Sequence, residues 1–120
     1  MTLVQQARQW LETLPGVSGF RWSYGPWTEQ PGRIIALWQD GGRQVAAEDY
    51  PIVRVVLVGD RDTRSDAVVM LGLADEIRNA ARGATCIGDS VRVTPIGGIV
   101  GPGFTAEGRA WVEINLEFLV

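Results

Sequence analysis

The residues of this chain best suited to chemistry lie together in 59-GDRDTRSD-66, where Asp60, Asp62 and Asp66 alternate with Arg61 and Arg64. Three carboxylates this close could offer oxygens to Ca²⁺ or Mg²⁺, act as a general acid and base, or form a recognition loop. Spacing argues against the metal. A calcium loop starting at Asp60 needs glycine at its sixth position and a bidentate acid at its twelfth, and those positions hold Ser65 and Leu71. Arg61 and Arg64 also put positive charge beside the supposed ligands. Asp66, and more weakly Asp62, suit a helix start, where the positive end of the dipole favours carboxylates. No spacing marks one carboxylate as an acid and another as a base, although a small ligand-binding domain or a carboxylate-dependent enzyme stays open as an alternative.

Other site chemistries lack their parts. The chain has no histidine and one cysteine, Cys86. Histidine-assisted nucleophiles, thiolate zinc clusters and an internal disulfide are therefore excluded, and Cys86 reads as a small core or half-exposed residue. The glycine-rich 97-GGIVGPG-103 is followed by neither lysine nor a helix, so it reads as a strand connection and not a phosphate cradle. No catalytic residue, cofactor or metal is expected, and the chain is read as a non-enzyme. A net charge of −3 and a pI near 4.8 give no general attraction to nucleic acid or anionic membranes. Hydrophobic residues at 46% and charged ones at 21% are ordinary for a globular protein. The N-terminus shows no signal peptide, and no apolar run approaches a membrane span. At 120 residues, one soluble domain made in a cytoplasm is expected.

The elements that must position these residues follow from periodicity. Leu3, Val4, Ala7, Trp10, Leu11 and Leu14 share one helical face, which predicts a helix over 2–14 with a Thr2–Gln5 capping box and a stop at Pro15-Gly16. Residues 17–32 read as an irregular loop rich in aromatics. A strand over 33–39, a turn at Asp40-Gly41-Gly42 and a strand over 43–48 read as a hairpin. Tyr50-Pro51 punctuates it, and 52–58 forms a central strand, with four valines and one isoleucine. Met70, Leu73, Ala74, Ile77, Ala80 and Ala81 predict a helix over 66–82, with Ser65 or Asp66 at its start and Gly83 at its end. Strands near 90–96 and 109–119 close the chain, the last alternating Val112, Ile114, Leu116 and Phe118 against Glu113, Asn115 and Glu117. The fold class is α+β: a mostly antiparallel sheet with two helices on one face, in the order α-β-β-β-α-β-β with a possible further strand.

The order of 34-IIALWQDGG-42, 51-PIVRVVLVGDRD-62, 67-AVVMLGLADEIRNAAR-82 and 108-GRAWVEINLEFLV-120 resembles that of bacteriophage tail-terminator proteins, a minor capsid or tail-completion family. The resemblance spans nearly the whole chain, and the tryptophan-rich stretch at 20–27 departs from it. It implies a structural virion protein that forms a ring, usually a hexamer, on the head-proximal end of a phage tail. Such a ring ends tail-tube polymerisation and meets head-completion proteins. Its implied partners are other copies of itself, the tail-tube protein and a head-completion protein. DNA would pass through the lumen without specific binding, and no membrane is involved. The implied location is the virion, after assembly in the bacterial host cytoplasm. The expected subunit or tube contacts are Trp22, Trp27, Asp60, Arg61, Asp62 and Arg64, since aromatics and arginine are common interface anchors. Another head–tail connector or a tube-like subunit is the alternative within the virion.

Overall fold

Thr2 and Gln5 cap each other and start helix α1 (Leu3–Leu11): the Gln5 amide donates to Thr2 Oγ1 at 3.2 Å, and the Thr2 amide donates to Gln5 Oε1 at 2.9 Å. The pair satisfies two amides that a helix start leaves without partners. Ala7 and Leu11 are fully buried, and Leu3, Val4, Trp10 and Leu14 pack at the margin of the same core. The helix stops earlier than 14. Leu14 already holds ψ 130°, as the residue before proline prefers, and a short 3₁₀ turn at Pro15–Val17 follows. The structure is a computed structural model, and it describes residues 2–25, 27, 29–45, 48–83 and 92–119, with side chains omitted at 43–45, 48 and 83. The expectations for Cys86 and for strand residues before Arg92 lie outside the described residues.

One sheet holds five strands in the order β1 (Arg21–Tyr24), β2 (Ile34–Val45), β3 (Glu48–Val58), β5 (Ala110–Leu119) and β4 (Arg92–Phe104). Every neighbouring pair is antiparallel except β1–β2. Helix α2 (Asp66–Gly83) joins β3 to β4 and packs beside α1 on the same face. The class is α+β in the order α-β-β-β-α-β-β, as expected, with no further strand after β5 among the described residues. Strand β3 is central. Its Val53, Val55 and Leu57 meet Val112, Ile114, Leu116 and Phe118 of β5 beneath Met70, Leu73, Ala74 and Ile77 of α2. Each buried Val, Leu, Ile, Phe or Met side chain among them contributes about 1.5–3 kcal/mol. Among the described residues, the opposite face carries a smaller apolar cluster, Ile34, Ala36, Val56 and Val58 with Trp27, Trp38 and Trp111 packed on them.

Three expectations about the strands are corrected. First, the stretch 17–32 is not wholly irregular, because β1 lies inside it and pairs parallel with β2, Trp22 opposite Ile35. Such a pairing has no local turn to announce it. Second, Asp40-Gly41-Gly42 is not a hairpin turn. Strand β2 runs through it to Val45, β3 begins at Glu48, and Tyr50-Pro51 lies within β3. The glycines form a bulge where the register jumps from Gln39↔Val53 to Gly42↔Pro51. Gly41 has φ 71° and Gly42 φ 145°, and a Cβ on Gly42 would stand 2.7 Å from the Pro51 Cα, so glycine is required by both conformation and space. Third, 97-GGIVGPG-103 is not a connection between strands but part of β4, bulged between Ile96 and Val100 and again before Gly103. A Cβ on Gly103 would lie 2.4 Å from the Trp111 ring, so the missing side chain makes room for that indole.

Strand β5 meets β3 only from Ile52 onward, and β1 meets β2 only over Ile34–Leu37. Beyond those pairings, among the described residues, β2 and β3 pair only with each other, as a two-stranded ribbon. Strands of 12 and 13 residues explain the elongated shape, 46 × 25 × 23 Å, since each residue advances about 3.3 Å.

Candidate functional site

At one end of the sheet three loops meet: 29–33 before β2, 59–65 after β3, and 105–109 before β5. The Gly59 amide donates to the Ala110 carbonyl at 2.7 Å, and the Asp62 amide donates to the Glu107 carbonyl at 3.1 Å. Asp66 opens α2 and is nearly buried. Its carboxylate faces Arg33, which donates from Nε at 3.2 Å and from Nη2 at 3.0 Å, and it also accepts the Asp60 amide at 2.8 Å. Arg33 above all, helped by the Asp60 amide and opposed by burial, holds this carboxyl below the usual aspartate range. The expectation of a helix-start carboxylate at Asp66 holds in its position. In its contacts, the carboxylate serves Arg33 and the loop before β2. Gly59 permits this closeness, because a Cβ there would stand 2.7 Å from the Asp66 Cβ.

The other two aspartates point elsewhere. Asp60 Oδ1 accepts the amides of Gly32 at 3.2 Å and Arg61 at 2.7 Å, and Asp62 is exposed with φ 54°. Thus the three carboxylates do not converge, and among the described residues no group of three His, Cys, Asp or Glu side chains is placed to hold a metal ion. A hollow of about 350 Å³ lined by Gly19, Gly32, Arg33, Asp60, Thr63 and Asp66 opens here, but its acids are already occupied by Arg33 and backbone amides. Arg61 projects outward with its Nε 3.7 Å from Glu29 Oε1, and the exposed Arg64 lays its guanidinium 4.0 Å from the Phe104 ring centre.

The two tryptophans separate. Trp22 lies on the helix side of β1, half-buried against the main core, with the Arg8 guanidinium 5.0 Å from its ring centre. Trp27 lies on the opposite face against the smaller cluster. Of the six expected contact residues, the structure gathers Asp60, Arg61, Asp62 and Arg64 in one loop. Trp27 is linked to them through a residue that the sequence reading did not single out, Arg109.

Arg109 is fully buried. Its Nη1 donates to the carbonyls of Gly32 at 2.8 Å and Gly59 at 2.9 Å; Nη2 donates to Glu29 Oε1 at 3.0 Å and to the Gln30 carbonyl; Nε reaches the same Glu29 oxygen at 3.3 Å. Trp27 covers the guanidinium, its ring centre 5.6 Å away. One planar fork thereby ties all three loops, a task for arginine and not lysine. The only sequence signal was the Gly108-Arg109 pair heading an alternating strand. Gly108, with φ 73°, turns the chain so that Arg109 enters the sheet's end. The polar groups of this end are thus spent internally, which leaves Arg61, Asp62 and Arg64 as an exposed rim suited to contact and not to bond chemistry.

A family model described as phage tail termination protein matches residues 1–120. This chain belongs to the phage tail terminator family. Among curated proteins no match was found. The terminator is a structural component of the phage tail, a family not known for enzymes, and its place is the virion, among other tail components. Among the described residues, the terminator has no helix long and apolar enough to cross a membrane.

Proposed function

We propose that this chain forms a closed ring on the head-proximal end of the tail tube, ends tube polymerisation and offers its other face to head-completion proteins. The match of the terminator family along residues 1–120 carries this reading. The arrangement of the chain supports it. The helices cover one sheet face, the other face is largely open, and the two sheet edges differ, β1 being short and regular and β4 long and bulged. A subunit with unlike flanks can repeat head to tail, and such a contact closes when its rotation divides a full turn. Six copies, a host-cytoplasm assembly route and a lumen that lets DNA pass without specific binding belong to the same proposal, as does a single domain spanning the chain. In this reading the exposed rim residues Arg61, Asp62 and Arg64, with Asp60 behind them, lie at a subunit or tube boundary, and Trp22 and Trp27 are further contacts.

Light scattering across concentration, with negative-stain images of the same sample, tests the proposal. A discrete ring mass is the expected result. Long filaments would replace it with the tube-subunit reading. A monomer that still shortens polymers of the tail-tube protein would place ring formation on the tube end. A monomer with no effect on those polymers would overturn the proposal.

A further inference from the structure

The large hydrophobic side chains that stand exposed among the described residues fall at the two flanks of the sheet. Tyr24, 52% exposed, lies on edge strand β1. Val68 (75%) and Val69 (42%) lie on α2, while Val100 (47%) and Phe104 (40%) lie on the other edge strand, β4. A group of apolar side chains exposed together, as on α2 and β4, is the kind of surface a partner covers, whereas a single exposed side chain such as Tyr24 is ordinary by itself.

The flanks differ in what they present. On the α1/β1 flank are two shallow hollows: one of about 420 Å³ lined by Gln5, Arg8, Gln9, Glu12 and Tyr24, and one of about 330 Å³ that shares Glu12 with it and runs to Trp22. Arg8 donates to the Tyr24 hydroxyl at 3.0 Å and pairs with Glu12 at 3.4 Å, which fixes the floor between them. Backbone groups are also on offer. The amides of Arg21 and Gly25 donate to the carbonyls of Arg33 and Leu37, both at 2.8 Å. Alternation in a parallel strand then points the Trp22 and Tyr24 N–H and C=O groups away from the sheet. The opposite flank is built from α2 and β4. Val68 stands one helical turn after Arg64, which lies on Phe104, and the bulges and prolines of β4 keep that edge from adding a regular strand. It therefore presents side chains, not a backbone ladder.

We infer that neighbouring copies of this chain meet with the α2/β4 flank of one, led by Val68 and Phe104, seated on the α1/β1 flank of the next, around Tyr24 and the two hollows. The inference rests on the ring reading and names the surfaces that build the ring. A second copy is the occupant that fits, because a head-to-tail ring needs two unlike surfaces on opposite flanks of one chain, and these are the two. A standard contact takes about 800 Å² from each side; using both flanks would cover roughly a quarter of the 6179 Å² surface.

The test is covalent trapping in a Cys86→Ser background, carrying Tyr24→Cys or Val68→Cys, with a short bis-maleimide. A mixture of the two single variants should give a linked dimer, and a chain carrying both should give a ladder or a closed covalent ring. Each single variant alone should stay unlinked. Val68→Glu, on a side chain already in water, should weaken association at least tenfold with unchanged circular dichroism. A Tyr24→Cys homodimer would overturn the inference in favour of a two-fold contact. A ring by light scattering without any Tyr24–Val68 link would overturn it while leaving the ring reading intact. Neither ring nor link at the highest soluble concentration would overturn this contact for the free protein, and tube-capping activity would then decide the ring reading separately.

Discussion

Replacing Arg109 with alanine would leave the carbonyls of Gln30, Gly32 and Gly59 without their donor. A buried acceptor deprived of its partner costs about 1–3 kcal/mol, so Arg109→Ala should lower unfolding free energy by about 1–3 kcal/mol, chiefly through the buried Gly59 carbonyl. Arg109→Lys should recover little of it, because an ammonium cannot reproduce the fork. Urea denaturation of the wild type and both variants measures this. Asp66 makes a second residue-level case. Its carboxyl is held below the ordinary aspartate value, first by Arg33, so the folded state binds that proton less readily than the unfolded chain. The associated stability is present above about pH 4 and is lost as pH falls below it. Asp66→Asn should flatten the stability curve below about pH 4 without abolishing its slope, since Glu107 is also shifted downward, chiefly by its own backbone amide. Unfolding curves between about pH 3 and pH 7 would show an unchanged slope if the Arg33 contact were unimportant.

At the scale of elements, Gly103→Ala places a methyl group within 2.4 Å of the Trp111 ring. Overpacking of this kind costs about 1–3 kcal/mol, and Gly103→Ala should lower the thermal midpoint, whereas Gly98→Ala, with open space around it, should change it far less. The same strand shows what the sequence could and could not reveal. Both helices and β5 were legible because their apolar residues repeat at 3.6 or 2 positions and a single burial rule explains them, from Ala7 and Leu11 to Ile114 and Phe118. Glycine misled in both directions. At 40–42 and 97–103 it signalled a turn and a connection, but its purpose in each place was a bulge inside a long strand, set by the neighbours across the sheet, Pro51 and Trp111. Strand β1 was illegible for the related reason that its pairing is parallel and its single inward tryptophan resembles a loop anchor. The charged loop was legible as a loop at the end of a core strand. Its internal tie was not, because Arg109 enters from a position 50 residues further on.

For the molecule as a whole, charge reversal at the rim separates folding from assembly. Arg61 and Arg64 are exposed, and exposed ion pairs contribute about 0–1 kcal/mol. Arg61→Glu combined with Arg64→Glu should therefore leave the subunit folded while reducing ring mass or tube capping; light scattering and circular dichroism on one sample would read both. An unchanged assembly mass and unchanged capping would remove loop 59–65 from the interface. The two poles of the long axis also differ in how they open. At one pole the amides of Gly59, Asp62 and Arg109 are locked into three loops bound by one buried guanidinium. At the other, the amides of Gln44 and Asp49 belong to a ribbon of two strands with no third beside it among the described residues, an arrangement that is marginal alone in water. Deuterium should enter the ribbon through small local openings and reach the tied pole only through global unfolding. In a ring of like-oriented subunits, all the slow-exchanging poles would stand on one rim and all the fast ones on the other: a stiff collar facing one neighbour and a compliant collar facing the next.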